Sequence, residues 1–160
     1  MEIRTATPAD LAAVTALEAA CFPPAEAAGE ASFQARLAAF PDSFWLLVEG
    51  GRVLAMVNGM VTQQPDLTDA MYDDASLHDP AGPWQMIFGV ATHPDCRCRG
   101  YADTLLRHAI QETRARGKAG LVLTCKEQLV PYYARFGFVS EGPSASQHGG
   151  AAWYQMRLRV

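Results

Sequence analysis

The sequence of 160 residues has no uninterrupted apolar run near the roughly 20 residues that a membrane-spanning helix needs. Its opening residues, Met1, Glu2, Ile3 and Arg4, also lack the basic-then-apolar order of a secretory leader. No membrane partner is expected, and a cytoplasmic location is. Basic residues are in the minority: thirteen Lys and Arg face seventeen Asp and Glu, for a formal charge of −4, and they form no run able to track a phosphate backbone. Nucleic acid is therefore not an expected partner. The four cysteines (Cys21, Cys96, Cys98, Cys125) are spaced neither as a disulfide framework nor as paired zinc knuckles, so they read as reduced thiols and no metal is expected. With 49% apolar and 19% charged residues, disorder and low-complexity classes are excluded. No repeat or linker interrupts the chain, and residues 1–160 read as one domain with one core.

Periodic patterning fills the chain instead. Thr7-Pro8-Ala9-Asp10 has the cap, the first-position proline and the acid of a helix start, and Leu11, Val14, Leu17 and Cys21 follow at helical steps until Phe22-Pro23-Pro24 stops them. Residues 22–29 read as a loop. A second helix is expected from near Ser32, presenting Phe33, Leu37 and Phe40. Residues 44–48 and 53–62 around Gly50-Gly51 predict an antiparallel hairpin. Polar, Pro- and Asp-rich residues 63–83 predict a long surface connection with a short helical piece near 69–72. Residues 84–92 predict a central strand ended by His93-Pro94. A helix opens after Gly100 with Leu105, Leu106, Ala109, Ile110 and Thr113 on one face, and then come a strand at 121–124, a short helix at 129–136 and a final strand pair at 138–141 and 153–158. Interleaved strands and helices make the fold class α/β.

The chemistry concentrates where the central strand runs into Arg97-Cys98-Arg99-Gly100-Tyr101-Ala102. A helix N-terminus carries amides without internal partners and a partial positive charge, so it can grip a phosphate group if the backbone approaches closely enough. Gly100 and the small Ala102 permit that approach, and Arg97 and Arg99 add charge at the rim. The competing reading is an ordinary solvated turn.

The pattern Arg97-x-x-Gly100-x-Ala102 resembles the acetyl-CoA loop of the GNAT N-acetyltransferase superfamily, and Pro131-Tyr132-Tyr133-Ala134-Arg135-Phe136-Gly137-Phe138 resembles its aromatic, basic, Gly-Phe signature. Within it, Thr124-Cys125-Lys126-Glu127-Gln128-Leu129-Val130 ahead of that signature, Glu49-Gly50-Gly51-Arg52 and Leu77-His78-Asp79-Pro80 are similar to the arylalkylamine N-acetyltransferase group. The resemblance implies a mixed, mostly antiparallel sheet of about six or seven strands with helices on both faces and a splay between two central parallel strands. It implies that the backbone of Val90, Ala91 and Thr92 pairs with the pantetheine arm, and that Cys98, Arg99, Gly100, Tyr101, Ala102 and Asp103 cradle the pyrophosphate with Arg97 beside them. It further implies acetyl transfer to a small-molecule amine by direct attack on the thioester, with Tyr133 protonating the leaving thiolate.

On spacing alone Tyr133 is a packing aromatic beside Tyr132 and Phe136. Met86 and Phe88 stand where the resembled group has two histidines; they read either as an apolar pocket wall for the amine or as plain strand packing. The resemblance implies that the stretch carrying Phe22 closes over the amine as a lid, with Phe22 as a contact; the alternative is part of a helix stop. Of the four histidines, His93 and His108 read as structural or solvated, and nothing in the spacing ties His78 or His148 to a reacting atom, so no base is assigned. A protein N-terminal or lysine acetyltransferase and a non-catalytic acyl-CoA-binding module are the competing functions, and the chain is expected as a monomer or homodimer.

Overall fold

The computed structural model describes residues 1–160. In chain order the first half holds β1 (Glu2–Thr5), α1 (Leu11–Cys21), α2 (Glu30–Ala39), β2 (Phe44–Glu49), β3 (Arg52–Asn58), β4 (Val61–Thr62) and α3 (Asp69–Asp73). The second half holds β5 (Trp84–Ile87), β6 (Gly89–Thr92), α4 (Tyr101–Ala115), β7 (Gly120–Cys125), α5 (Val130–Ala134), β8 (Val139–Pro143) and β9 (Tyr154–Arg159). Side-chain alternation along the hairpin decides the layering. Trp45, Leu47, Ala55 and Val57 face α4 and meet Leu105, Leu106, Ala109 and Ile110 there. Phe44, Leu46, Val48 and Met56 face the other way, onto Val14 and Leu17 of α1 and Phe33 and Leu37 of α2. Each of the larger of these side chains withdrawn from water contributes roughly 1.5–3 kcal/mol, so helices are held on both faces.

α1 starts as its sequence suggests: the Asp10 carboxylate accepts the Thr7 N–H at 2.8 Å and grips both terminal nitrogens of Arg4 at 2.8 Å. The second helix begins at Glu30 rather than near Ser32, because Gly29 is its cap and the Gly29 carbonyl already accepts the Phe33 N–H. β1, which the patterning did not single out, pairs with β2.

Two expected continuous strands are broken. The stretch 53–62 divides into β3 and β4, and the stretch 84–92 divides into β5 and β6, so each crosses from one sheet to the other. One sheet has the order β1-β2-β3-β6 and the second β4-β5-β7-β9-β8. Rejoining the two broken strands reduces the nine segments to seven, which matches the expected sheet. The breaks lie against each other. Gly59 is packed so closely on the Met86 carbonyl that no Cβ would fit. Buried Gln85 donates its side-chain amide to the Gly59 carbonyl at 2.9 Å and to the Met86 carbonyl at 2.8 Å, satisfying oxygens that an unbroken ladder would have paired. Gln85→Leu should therefore lower stability by about 1–3 kcal/mol through orphaned buried carbonyls, read as a lower urea midpoint.

Candidate active site

The broken strand opens the site. β5 pairs parallel with β7 from Trp84 opposite Gly120 to Ile87 opposite Leu123, whereas β6 leaves to pair antiparallel with β3. Beyond Leu123, β7 has only β9 beside it, with Thr124 opposite Gln155 and Cys125 opposite Tyr154. The result is a splay between two central parallel strands. His93 N–H donates to the Leu54 carbonyl, so alternation along the ladder turns Gly89 and Ala91 toward β3 and the peptide groups of Val90 and Thr92 toward the opening. The Cys21 thiol donates to the Thr92 carbonyl at 3.1 Å from that open side, which agrees with this assignment.

At the end of β6 the chain turns through His93-Pro94 into the start of α4. Cys98 at φ +63° and Gly100 at φ +76° are both left-handed, and the N–H groups of residues 97–103 find no acceptor within the chain. A Cβ placed on Gly100 would meet nothing, because the space in front of the turn is open. Free amides at the positive end of a fifteen-residue helix, facing an open hollow, fit a diphosphate. Asp103 would oppose that anion were it free, but the Tyr132 hydroxyl donates to it at 2.7 Å and Arg135 bridges it at 3.3 Å.

A cleft of about 490 Å³ runs along these groups, bordered by Val90, Ala91, Thr92, Arg97, Cys98, Gly100, Tyr101, Ala102, Asp103, Phe22 and Tyr133. A second, smaller cavity of about 100 Å³ lies on the far side of Tyr133. Its walls are Phe22, Tyr72, Phe88, Trp153 and Leu129, and its polar groups are Glu18, Glu26, Thr124, Cys125 and His148. Phe22, Val90, Leu129 and Tyr133 border both spaces. Burial raises the Tyr133 phenol well above its ordinary value, so it remains protonated at neutral pH. Burial likewise pushes the Cys125 thiol up to about 11, which makes it a poor nucleophile, and the Tyr72 phenol up to about 12.

Three expected residues sit differently from the sequence reading. Met86 is fully buried among Phe40, Met60, Leu67, Met71 and Val122 and lines neither cavity. Period-two alternation would put it on the face of Phe88, but the break at Phe88 lets only Phe88 reach the opening, 4.9 Å from the Tyr72 ring. Ala91 borders the cleft, yet its peptide groups turn to Met56, so only Val90 and Thr92 offer strand-like pairing. Arg99 is exposed and does not line the cleft. The segment carrying Phe22 is pinned from three sides: Glu18 accepts the Ala28 N–H at 3.0 Å, Lys126 pairs with Glu26 at 2.9 Å, and His148 Nε2 meets the Glu26 carbonyl at 2.8 Å.

His78 lies away from the cleft and accepts the Val61 N–H at 3.0 Å through Nδ1. His93 accepts the Asp95 N–H and caps its own turn. His148 stacks on Tyr72 at 4.7 Å inside the small cavity, and because a carbonyl only accepts, its Nε2 carries the proton. Glu18 was not singled out from sequence. Its signal was present, since an acid at helical spacing from Val14 and Cys21 falls on the buried face of α1.

A model of the "Acetyltransferase (GNAT) family" matches residues 11–138. The serotonin N-acetyltransferase of Mesocricetus auratus is 30% identical over 115 residues, which is 70% of this chain and 53% of that protein. The chain thus spans about half the length of the serotonin N-acetyltransferases it matches. Among solved structures, the GphF GNAT-like decarboxylase in complex with isobutyryl-CoA superposes with a TM-score of 0.82 at 21% identity, over 99% of both chains. The ribosomal-protein-S18-alanine N-acetyltransferase of Escherichia coli does so with a TM-score of 0.71 at 20% identity, over 99% of this chain and 93% of that one. At such identities the two structures speak for the fold alone. No helix is long and apolar enough to cross a membrane.

Proposed function

The chain belongs to the acetyltransferase (GNAT) family, and from that membership we propose that it transfers acetyl from acetyl-CoA to a small primary amine with an aromatic or apolar body. One observation carries this reading: the amide-lined cleft and the aromatic cavity meet at Tyr133, with Phe22, Val90 and Leu129 bordering both. Acetyl-CoA supplies the thioester. The amides of residues 97–103 hold its diphosphate, and the peptide groups of Val90 and Thr92 hydrogen-bond its pantetheine arm as a neighbouring strand would. The thioester is thereby aimed at the junction, where the Tyr133 hydroxyl protonates the departing sulfur. The cavity beyond is small and ringed by Phe22, Tyr72, Phe88 and Trp153. Those walls favour a compact aromatic body over an extended peptide, and the likeness to serotonin N-acetyltransferase points the same way.

The test is free-thiol release with acetyl-CoA over a panel of arylalkylamines, polyamines and peptide N-termini, in which the first group should react best. Reaction with peptides alone would replace the small-amine reading with protein acetylation. Saturable coenzyme A binding with no thiol release for any acceptor would leave a binding module. Phe22→Ala should raise the KM for a reactive arylalkylamine about tenfold, the worth of one lost aromatic contact in a confined pocket. An unchanged KM would leave Phe22 as part of a helix stop.

A further inference from the structure

Glu18 stands out among the charged side chains of the molecule. It lies near the end of α1, is 7% exposed, and forms no ion pair. Its Oε2 accepts the Ala28 N–H at 3.0 Å, while its Oε1 is sealed from bulk water and has no partner at all. Oε1 is directed at the splay: a Cβ built on Gly89, between Phe88 and Val90, would lie 3.9 Å from it. The residue borders the same small cavity as Tyr133.

Most of the other titratable or charged groups around Glu18 are engaged, although the Arg36 Nε is likewise buried without a partner. Arg36 of α2 donates to Asn58 Oδ1 at 3.1 Å and to the Tyr72 carbonyl at 3.0 Å. Tyr72 of α3 bonds Thr124 at 3.0 Å, and Cys21 of α1 bonds Thr92. Glu26 is neutralised by Lys126, and His148 is tied to the Glu26 carbonyl. One carboxylate oxygen is left without a donor in a cavity walled by aromatic rings. Burying an anion in this way is costly unless a cation arrives to meet it.

Resting on the amine acetyltransferase reading above, we propose that the Glu18 carboxylate receives the ammonium group of the acceptor and removes its first proton, so that the acceptor class is a cationic primary arylalkylamine. An alkylammonium with a pKa of about 10 is only about 0.1% neutral at pH 7, so a local proton acceptor is required before nitrogen can attack. Oε1 accepts one ammonium proton, and the aromatic walls are suited to the rest of the cation. The neutral nitrogen then forms its bond to the acetyl carbon as the carbon–sulfur bond breaks. Tyr133 passes its proton to sulfur and recovers one from the acylated nitrogen, and Glu18 later releases its proton to water. The sum is ammonium plus thioester giving amide, thiol and one proton. Burial raises the Glu18 carboxyl above the ordinary carboxylate range, against the lowering influence of the Ala28 N–H, Arg36 and His148. That direction improves it as a base near neutral pH.

Two measurements test this on the intact chain. With coenzyme A present, tryptophan fluorescence should show phenethylamine binding at least about tenfold more tightly than uncharged 2-phenylethanol, and Glu18→Gln should abolish the preference. In turnover at pH 7, Glu18→Gln should lower kcat/KM for phenethylamine about 30-fold, with the deficit shrinking to about threefold near pH 9.5 as free amine accumulates and the KM for acetyl-CoA unchanged. Equal binding of amine and alcohol by the unaltered protein overturns the assignment, and this arm holds even if the variant does not fold. A loss that is uniform across pH and across both ligands also overturns it, since it would mark a side chain that merely anchors Ala28. Absence of thiol release with every amine would instead strike the acetyltransferase reading, while the amine-over-alcohol preference would still judge Glu18.

Discussion

Tyr133→Phe should lower kcat by about 100-fold or more while leaving coenzyme A affinity unchanged. The substitution removes one oxygen and keeps the ring, which is 8% exposed and packed edge-on against Tyr132 at 5.0 Å and Phe138 at 6.0 Å, so the fold is undisturbed. The expected size follows from the proton's path. An ordinary phenol, with a pKa of about 10, is a weaker acid than an ordinary thiol at about 8.5, and burial weakens Tyr133 further, so outright transfer to a thiolate is uphill. It becomes favourable when the same oxygen recovers a proton from the positively charged nitrogen of the collapsing adduct. On the proposed mechanism Tyr133 would act as a relay as much as an acid, a role that water could not easily fill. Calorimetry with coenzyme A and steady-state kinetics with a reactive amine separate the two effects. Equal turnover would return Tyr133 to the role its spacing alone suggests, a packing aromatic on a short helix.

Gly100→Val should weaken coenzyme A binding by about 100-fold, close to 2.7 kcal/mol, with kcat at saturation little changed. Two effects add. At φ +76° a β-branched residue is strained by roughly 1–3 kcal/mol, and relief of that strain would rotate the free amides out of line. The new methyl groups would also enter the open hollow in which the diphosphate is expected to lie. Gly100→Ala should show a smaller loss of the same kind. Because no Cβ at Gly100 would strike a neighbour, the loss of stability should stay within that backbone strain, read as a melting temperature lower by a few degrees. Undiminished affinity in the valine variant would place the diphosphate elsewhere.

Local patterning made the order of helices, the hairpin around Gly50-Gly51 and the strand-turn-helix at Gly100 legible before any coordinates. What it could not convey was where a strand changes sheets. Apart from Gln85, residues 84–91 carry no polar side chain, and such a run looks the same whether it stays in one ladder or crosses at Phe88, since the crossing depends on the Gln85 amide reaching the carbonyl of Gly59, 26 residues away in sequence. For the same reason Met86 and Phe88 seemed equivalent by alternation, yet one lies in the core and the other reaches the cavity. Glu18 and His148 were hidden differently. The first is a charge on a helix face that otherwise reads as apolar, and the second belongs to a segment without period, so only the folded chain shows that Tyr72 stacks on His148 and that Gly89 faces Glu18.

The Asp103 carboxylate joins the first turn of α4 to both Tyr132 and Arg135, and Tyr132 is the immediate neighbour of Tyr133. The proposed anion seat and the proposed proton source are therefore mounted on a common bracket. Since the pantetheine chain has a fixed length, such a bracket would work as a calliper set to one thioester position: a longer acyl group could not be accommodated by sliding the nucleotide backward and would extend forward into the ring of aromatic side chains. Acyl length and acceptor size would then compete for the same volume.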